Sequence, residues 1–407
     1  MGTVYFAKWI LLPSGEILNN GAIAVCNNLI TSVGSRSKVR RSINDRIVNL
    51  GDSLLLPGFI NMHTHLEESI VRGIIKKPDE TFASYDIKKN TRIKQAPVDT
   101  ILSAIRLEIR ELLAQGITTI VDSSRSGLSL PILKEESIRA CIIHELHPDS
   151  SEPEENFIRK KLEKTGICNK NIVQGWGPHS LYSLTPQSQR SLIHHLHNRN
   201  QLWAAHIAES SEELQAFSER TGDLYFHITR KKEWPFDTCT GPVNYALSEN
   251  LIPENGICFH CNYITGRELE KLADKNVSIV LCYQYTKQMG HKPFPLEIAL
   301  NKNISLCLGT EGVAAQGFMS LFDELFSIKN SYPHIPAKQM INWVTQNAAN
   351  AINAGHLLGS LSEGKFADMM AVRFSHNPHE DILEELIISD PEMIMVMVDG
   401  EEVIVNY

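Results

Sequence analysis

The chain has 407 residues, of which 43% are hydrophobic and 21% charged, and it carries a net charge of −8. That length buries a large core without disulfides or a structural metal, and the composition excludes a disordered chain. The acidic balance argues against a nucleic-acid binder, which would show a basic excess, and leaves a nucleotide-like small substrate open.

No stretch approaches the ~18 consecutive apolar residues of a membrane helix, so no membrane partner is expected. The N-terminus lacks the charged head and apolar run of a secretory signal. Its Met-Gly start is half a myristoylation signal, because Phe6 stands where Ser or Thr is required. The eight cysteines (26, 141, 168, 239, 258, 261, 282 and 307) are scattered, mostly in or beside apolar runs. They read as reduced, buried thiols of a cytoplasmic protein.

In chain order, Val4–Ile10, Gly21–Cys26, Leu29–Val33 and Arg46–Leu50 read as short strands separated by turn residues. Leu54, Leu55 and Leu56 run into Pro57-Gly58, a turn. From there to about residue 357, apolar runs alternate with amphipathic stretches. Strands are expected at Ile117–Val121, Ile138–Leu146, Ile172–Trp176, Trp203–Ile207, Gly256–His260, Val277–Cys282 and Ile304–Leu308. Helices are expected at Thr100–Gln115 and Pro186–Asn198, and near Ser211, Gly266 and Pro293. Repeated strand–helix units of this number indicate an α/β fold with a (β/α)8 barrel, the open doubly wound sheet being the alternative. After Leu357 the β character returns: Met369–Arg373 is a strand, and Asp399-Gly400 marks a hairpin between Met393–Val398 and Glu402–Val405. The expected organisation is a composite β-sandwich from residues 1–57 and 358–407 around a barrel at 58–357.

Four apolar runs end in residues that carry chemistry. His63-Thr-His65 closes the first; residues i and i+2 of a strand face one side, so both imidazoles can converge on one ion. Trp203-Ala-Ala-His206-Ile-Ala-Glu209 delivers a histidine, with a carboxylate three residues on that could act as a general acid or base beside the ion. Gly256-Ile-Cys-Phe-His260-Cys ends in a third histidine. Leu308-Gly-Thr-Glu311-Gly ends in a carboxylate. Each alone is weak, since a histidine or glutamate at a strand exit is common. Together they place side chains from four strands at the C-terminal face, where barrel enzymes work. Three histidines and one carboxylate around an open position suit zinc, and Fe(II) nearly as well.

Other motifs are set aside. Gly359-Ser-Leu-Ser-Glu-Gly364-Lys365 has phosphate-loop spacing, but Phe366 replaces the required hydroxyl residue and a strand follows instead of a helix. His194, His195 and His197 lie on a predicted amphipathic helix and read as a solvated face. Cys258 and Cys261 form a C-x2-C pair with no second pair. Lys160-Lys161 and Arg230-Lys231-Lys232 read as surface.

Pro57-Gly-Phe-Ile-Asn-Met-His63-Thr-His65-Leu-Glu resembles the first metal motif of the amidohydrolase superfamily. Gly177-Pro-His179-Ser, His206-Ile-Ala-Glu209, His260-Cys and Leu308-Gly-Thr-Glu311-Gly follow in the order of its deaminase branch, and Thr345–Ala351 with Gly359–Asp368 resembles its C-terminal signature. The resemblance spans nearly the whole chain. It implies a single divalent metal held by His63, His65, His206 and Glu311, with zinc preferred and iron second. It implies catalytic roles for Glu209, His260 and Glu311, and substrate contacts from His179 and Glu209. The implied substrate is a small nucleoside with a 6-aminopurine, and a homo-oligomer is compatible with the pattern.

Within the branch, Gly290-His-Lys-Pro-Phe-Pro295, Trp234-Pro and Gly241-Pro-Val-Asn-Tyr-Ala look closest to the aminodeoxyfutalosine deaminases of the futalosine route to menaquinone. The methylthioadenosine/S-adenosylhomocysteine deaminases come second, and a non-catalytic homologue third. The sequence departs from the family at Glu311, where the family has Asp, at Cys282-Tyr-Gln-Tyr-Thr286 and at Ala315-Gln316.

Overall fold

The computed structural model describes residues 2–40, 42–148, 152–163, 171–378 and 381–406. Cys168 lies outside them. The other seven cysteines are free thiols, and all but Cys26 and Cys239 are buried.

The chain opens with β1 (Thr3–Leu11), β2 (Ile17–Cys26), β3 (Leu29–Ser35), β4 (Arg46–Asn49) and β5 (Ser53–Pro57). Eight strands then line up: β6 (Phe59–Thr64), β7 (Ile117–Ser124), β8 (Arg139–Leu146), β9 (Ile172–Pro178), β10 (Leu202–Ile207), β11 (Ile257–His260), β12 (Ser278–Leu281) and β13 (Ser305–Leu308). The C-terminal segment supplies β14 (Met369–Arg373), β15 (Glu392–Val398) and β16 (Glu401–Val405).

Strands β6 to β13 pair in sequence order, every neighbour parallel. The order closes where the Thr310 and Glu311 N–H groups both donate to the His63 carbonyl at 3.0 Å, with a parallel bridge from Thr64 to Glu311. Gly309 permits that seam: a Cβ there would sit 2.5 Å from the His63 Cβ. The result is the expected eight-stranded barrel. All its strands except β9 contribute to one cluster that includes Met62, Ile143, Phe259, Val280 and Cys307. Near-continuous apolar runs are what strands buried on both faces require. The strongly amphipathic helix Val98–Ala114 puts Ile101, Ile105, Ile109 and Leu112 into the outer core.

Both termini form a separate sheet in the order β16-β15-β14-β5-β1-β2-β3, with β4 also on β1. It is one continuous hydrogen-bonded sheet burying a shared cluster of Tyr5, Ile23, Leu55, Met369 and Met395. The Asp399-Gly400 hairpin forms as expected, with both residues at positive φ. The turn expected at Pro57-Gly58 does not form. Pro57 ends β5 and β6 starts at Phe59, so the chain passes from the terminal sheet into the barrel across Gly58 alone. Burial of Leu54, Leu55 and Leu56 on both faces overrides the local turn preference. Arg139, at the start of β8, fastens the two bodies: it bonds Asp368 at 2.5 and 3.2 Å and Asp399 at 2.7 Å, and lies 4.0 Å from the Phe366 ring centroid.

The segment with phosphate-loop spacing is structural. The Lys365 ammonium donates to the carbonyls of Gly355 (2.6 Å) and Leu358 (2.7 Å) and to Gln346 (3.1 Å). His194 and His197 are exposed on helix Pro186–His197. Among the described residues, no helix is long and apolar enough to cross a membrane.

Candidate metal centre and active site

The seven residues singled out from the sequence meet at the C-terminal mouth of the barrel. His63 sits in β6, and the register of β6 against β7 shifts between Asn61 and Thr64. His65 lies one residue past the strand, so the pair converges through an irregular strand end and not by simple alternation. Such irregularities re-aim side chains beside active sites. His206 comes from β10, His260 ends β11, and Glu311 follows β13. Three of the backbone positions are unusual. Ala208, His260 and Glu311 have φ of 53°, 68° and 59°, the left-handed region that residues other than glycine seldom occupy.

The imidazole Nε2 atoms of His63 and His206 are 3.0 Å apart, and those of His65 and His206 3.3 Å. One Glu311 oxygen lies 2.5 Å from His63 Nε2 and 3.5 Å from His260 Nε2; the other is 3.2 Å from His65 Nε2. Ligand atoms of His63, His206, His260 and Glu311 all fall within 4.8 Å of one another, as do those of His65, Glu145 and His206. All are buried.

These residues fit a cation. His65 Nδ1 lies 3.1 Å from the Ser123 carbonyl and His206 Nδ1 2.7 Å from the His179 carbonyl. A carbonyl only accepts, so in each ring Nδ1 carries the proton and the neutral ring presents a lone pair at Nε2. Two such lone pairs 3.3 Å apart repel unless positive charge sits between them. A second nitrogen tied to a carbonyl is also the usual support of a metal-bound histidine.

The electrostatics make the same demand. Burial works against a charged His65, yet the Glu311 carboxylate pushes its pKa up to about 10. Burial holds His63 and His206 below the ordinary range. Glu311 is pushed upward by burial, but the charges of His65 and His63 outweigh that and hold it well below an ordinary carboxylate. The centre therefore calls for one positive charge, from a proton or a metal. Nitrogen and carboxylate donors in this set suit Zn2+.

Glu209 lies on the other side. Burial first, and the nearby Glu311 charge second, raise its pKa well above the ordinary carboxylate range. It accepts a hydrogen bond from the Tyr285 hydroxyl at 3.0 Å, and His260 and His291 each approach within 4.0 Å. His260 is lowered to about 3 by burial, and both its ring nitrogens lack a hydrogen-bond partner. His179 stacks on His206 with ring centroids 4.6 Å apart and, with Glu145, lines a cavity of about 620 Å3.

Sequence reasoning missed Glu145, Tyr285 and His291. Glu145 stands at the end of an apolar strand, the signal that identified the other residues, and its Oε1 is 3.7 Å from His206 Nδ1. Burial raises it to about 7. Tyr285 and His291 belong to the stretches flagged for their departure from, or likeness to, the family pattern. The helix Phe82–Gln95, also unforeseen, covers the mouth; Phe82 and Tyr85 pack with Cys282, Tyr285 and Met289.

The profile of the amidohydrolase family matches residues 54–403. The chain belongs to this family. It is 24% identical to a 5-methylthioadenosine/S-adenosylhomocysteine deaminase of Pyrococcus horikoshii, over 96% of this chain and 95% of that one. Its fold is shared with the aminofutalosine deaminase of Helicobacter pylori crystallised with methylthio-coformycin, at TM-score 0.86 and 21% identity over 99% of this chain and all of that one. An adenosine deaminase of Xanthomonas campestris with bound zinc gives TM-score 0.83 and 18% identity, over 99% of this amidohydrolase and 93% of the other chain.

Proposed function

We propose that this amidohydrolase hydrolytically removes the 6-amino group of a purine nucleoside, with one divalent cation held by His63, His65, His206 and Glu311. The observation that carries the reading is the meeting of three imidazole Nε2 atoms and one carboxylate, with Glu209 facing them from the side. Zinc is the cation the donor set favours. Aminodeoxyfutalosine is the first candidate substrate, supported by the Trp234-Pro and Gly290–Pro295 stretches and by the fold shared with the H. pylori enzyme. Methylthioadenosine or S-adenosylhomocysteine is the alternative, supported by the sequence relative from P. horikoshii.

The bound cation supplies hydroxide at neutral pH by lowering the pKa of water toward about 7. The chain's own residues divide the proton work. Two carboxylates whose surroundings push their proton affinities apart are a natural acid and base pair. Glu209, held protonated, donates to the ring nitrogen beside the carbon under attack. Glu311, held ionised, accepts the proton of the water. His260, neutral and otherwise unpartnered, hydrogen-bonds the incoming oxygen. As the C–N bond breaks, the proton on Glu311 passes to the departing amine. The purine keeps the oxygen and, on its ring nitrogen, the proton from Glu209 as the 6-oxo form; the remaining hydroxyl proton returns to Glu209, and ammonia leaves. His179, in the cavity wall, contacts the nucleoside.

The test is metal analysis of the purified protein together with ammonia release from a panel of adenosine derivatives. Stoichiometric metal with ammonia release supports the reading. Stoichiometric metal with no nucleoside consumed would instead make the protein a ligand-binding homologue. The departure at Glu311, where the family has Asp, is the feature that favours this second reading.

A further inference from the structure

The capping sequence Ser210-Ser-Glu-Glu213 behaves unlike its counterpart at Thr265-Gly-Arg-Glu268. There the Glu268 carboxylate reaches back to the Thr265 N–H at 2.8 Å, the ordinary reciprocal arrangement. Ser210 accepts from the Glu213 N–H in the same way, at 3.2 Å, but Glu213 Oε2 passes further back. It accepts from the Glu209 N–H at 2.9 Å and takes the Ala208 N–H as well. From the other side, the Asn262 side-chain amide donates to the Glu209 carbonyl at 3.0 Å. We propose that Glu213 and Asn262 are positioning residues, which hold the peptide groups on both sides of Glu209 and so aim its carboxyl group. The task of Glu209 as proton donor rests on the proposed function; the hold on it does not.

The turn that presents Glu209 needs such support. Ala208 has a φ of 53°, a left-handed conformation that costs an alanine energy and persists only where its neighbours over-determine it. The turn after β11 is left-handed too, at His260 and Cys261, and the two turns lock together. The Cys261 N–H donates to the Ile207 carbonyl at 3.0 Å, and the Tyr263 N–H to the Ala208 carbonyl at 3.1 Å. Asn262 lies between those two donors, so its side chain reaches Glu209 from a backbone already fixed. Its own carbonyl oxygen accepts from the Thr286 hydroxyl at 3.5 Å, next in sequence to the Tyr285 that binds the Glu209 carboxyl. Glu209 is thus held at its N–H, its carbonyl and its carboxyl by three separate segments. Glu213 and Asn262 are only 2% and 1% exposed, so water does not readily replace either bond. Burial pushes the Glu213 carboxyl up to about 7, so the fold keeps this group at a cost. A reacting group displaced by about 1 Å can lose about 100-fold in rate, which is what the two holds prevent.

The experiment follows ammonia release, metal content and Tm in full-length Glu213→Ala, Asn262→Ala and Glu213→Gln, with crystal structures of each. Both alanine variants are also combined with Tyr285→Phe. The expected result is that Glu213→Ala lowers kcat about 10- to 100-fold and Asn262→Ala about 3- to 10-fold. KM stays within about threefold and metal content is unchanged. Glu213→Gln keeps an acceptor oxygen for the two N–H groups and stays within about threefold of wild type. In the alanine variants the Glu209 carboxyl has already left the Tyr285 hydroxyl, so each double variant is no slower than its slower parent. A role confined to stability would lower Tm and let the two factors multiply. Multiplying factors, alanine variants as fast as wild type, or Glu213→Gln no faster than Glu213→Ala overturn the proposal. Should Glu213→Ala fail to fold, Asn262→Ala alone and with Tyr285→Phe carries the same test. If the wild type releases ammonia from no nucleoside, the deaminase reading fails and the crystal structures decide alone. A Glu209 carboxyl displaced by about 1 Å or more in either alanine variant then supports the hold; an undisturbed 3.0 Å contact with Tyr285 refutes it.

Discussion

Removing a single hydroxyl, as Tyr285→Phe, tests how Glu209 is held. The Tyr285 hydroxyl donates to one Glu209 oxygen at 3.0 Å, and the two residues are only 3% and 4% exposed, so water does not readily replace the bond. Burial, aided by the charges of Glu209 and Glu311, raises the phenol well above its ordinary value, so Tyr285 stays a donor throughout the working range. With one carboxyl oxygen fixed as acceptor, the proton of Glu209 is confined to the other. A hydrogen bond to an ionisable group in such surroundings contributes about 1.5–3 kcal/mol. At about 1.4 kcal/mol per factor of ten, kcat/KM is expected to fall roughly 10- to 100-fold.

The sign of the pH effect is fixed too. The bond favours the ionised form of Glu209 and works against the burial that raises its pKa. Without it the protonated, proton-donating form survives to higher pH, so the alkaline limb of the kcat/KM profile moves upward. The assay is ammonia release across pH on a nucleoside the wild type consumes, with metal content measured in parallel. An unchanged rate and an unmoved alkaline limb, at full metal occupancy, would refute the reasoning.

Glu209→Gln should keep its metal, since Glu209 is not among the converging ligand atoms, while ammonia release falls by about 100- to 10,000-fold; metal loss in this variant would move Glu209 into the ligand set. Glu311→Asp withdraws the carboxylate by roughly 1 Å from imidazoles now 2.5 and 3.2 Å away. Chelator competition should show zinc held about 10- to 100-fold more weakly, and equal or tighter binding would show that the longer side chain is not matched to this site. Arg139→Met should cost about 3–5 kcal/mol by stranding Asp368 and Asp399, read as a lower Tm. Burial already holds Asp368 above the ordinary carboxylate range with Arg139 opposing it. In the variant its pKa rises further. An ionised carboxylate so placed penalises the fold at neutral pH, and the penalty fades as the pH falls and the group protonates. The Tm gap to wild type should therefore narrow on acidification; a gap independent of pH counts against the ion pair as its cause.

The candidate metal centre was legible because each proposed ligand sits at the end of an apolar run, and an apolar run followed by a polar residue is visible without knowing the fold. Glu145 obeys the same rule at the end of β8 and could have been found by applying it evenly. Tyr285 could not, because its hydroxyl matters only through Glu209, and the two are joined by no local pattern. The helix Phe82–Gln95 escaped notice for a related reason. Its sequence is polar, and it buries Lys89, whose charge is answered by Glu68 from another segment.

The sequence by itself determined the order of strands, the barrel they form and the side chains offered at its mouth, since hydrophobic period and strand-end chemistry are local properties. Tertiary structure alone decided which side chains meet. It set the distance of Tyr285 from Glu209, the fastening of the terminal sheet through Arg139, and the reach of the Asn262 side chain to the Glu209 carbonyl. Closing a sheet of eight strands brings together residues hundreds of positions apart, and charge and hydrogen bonding act across space, not along the chain.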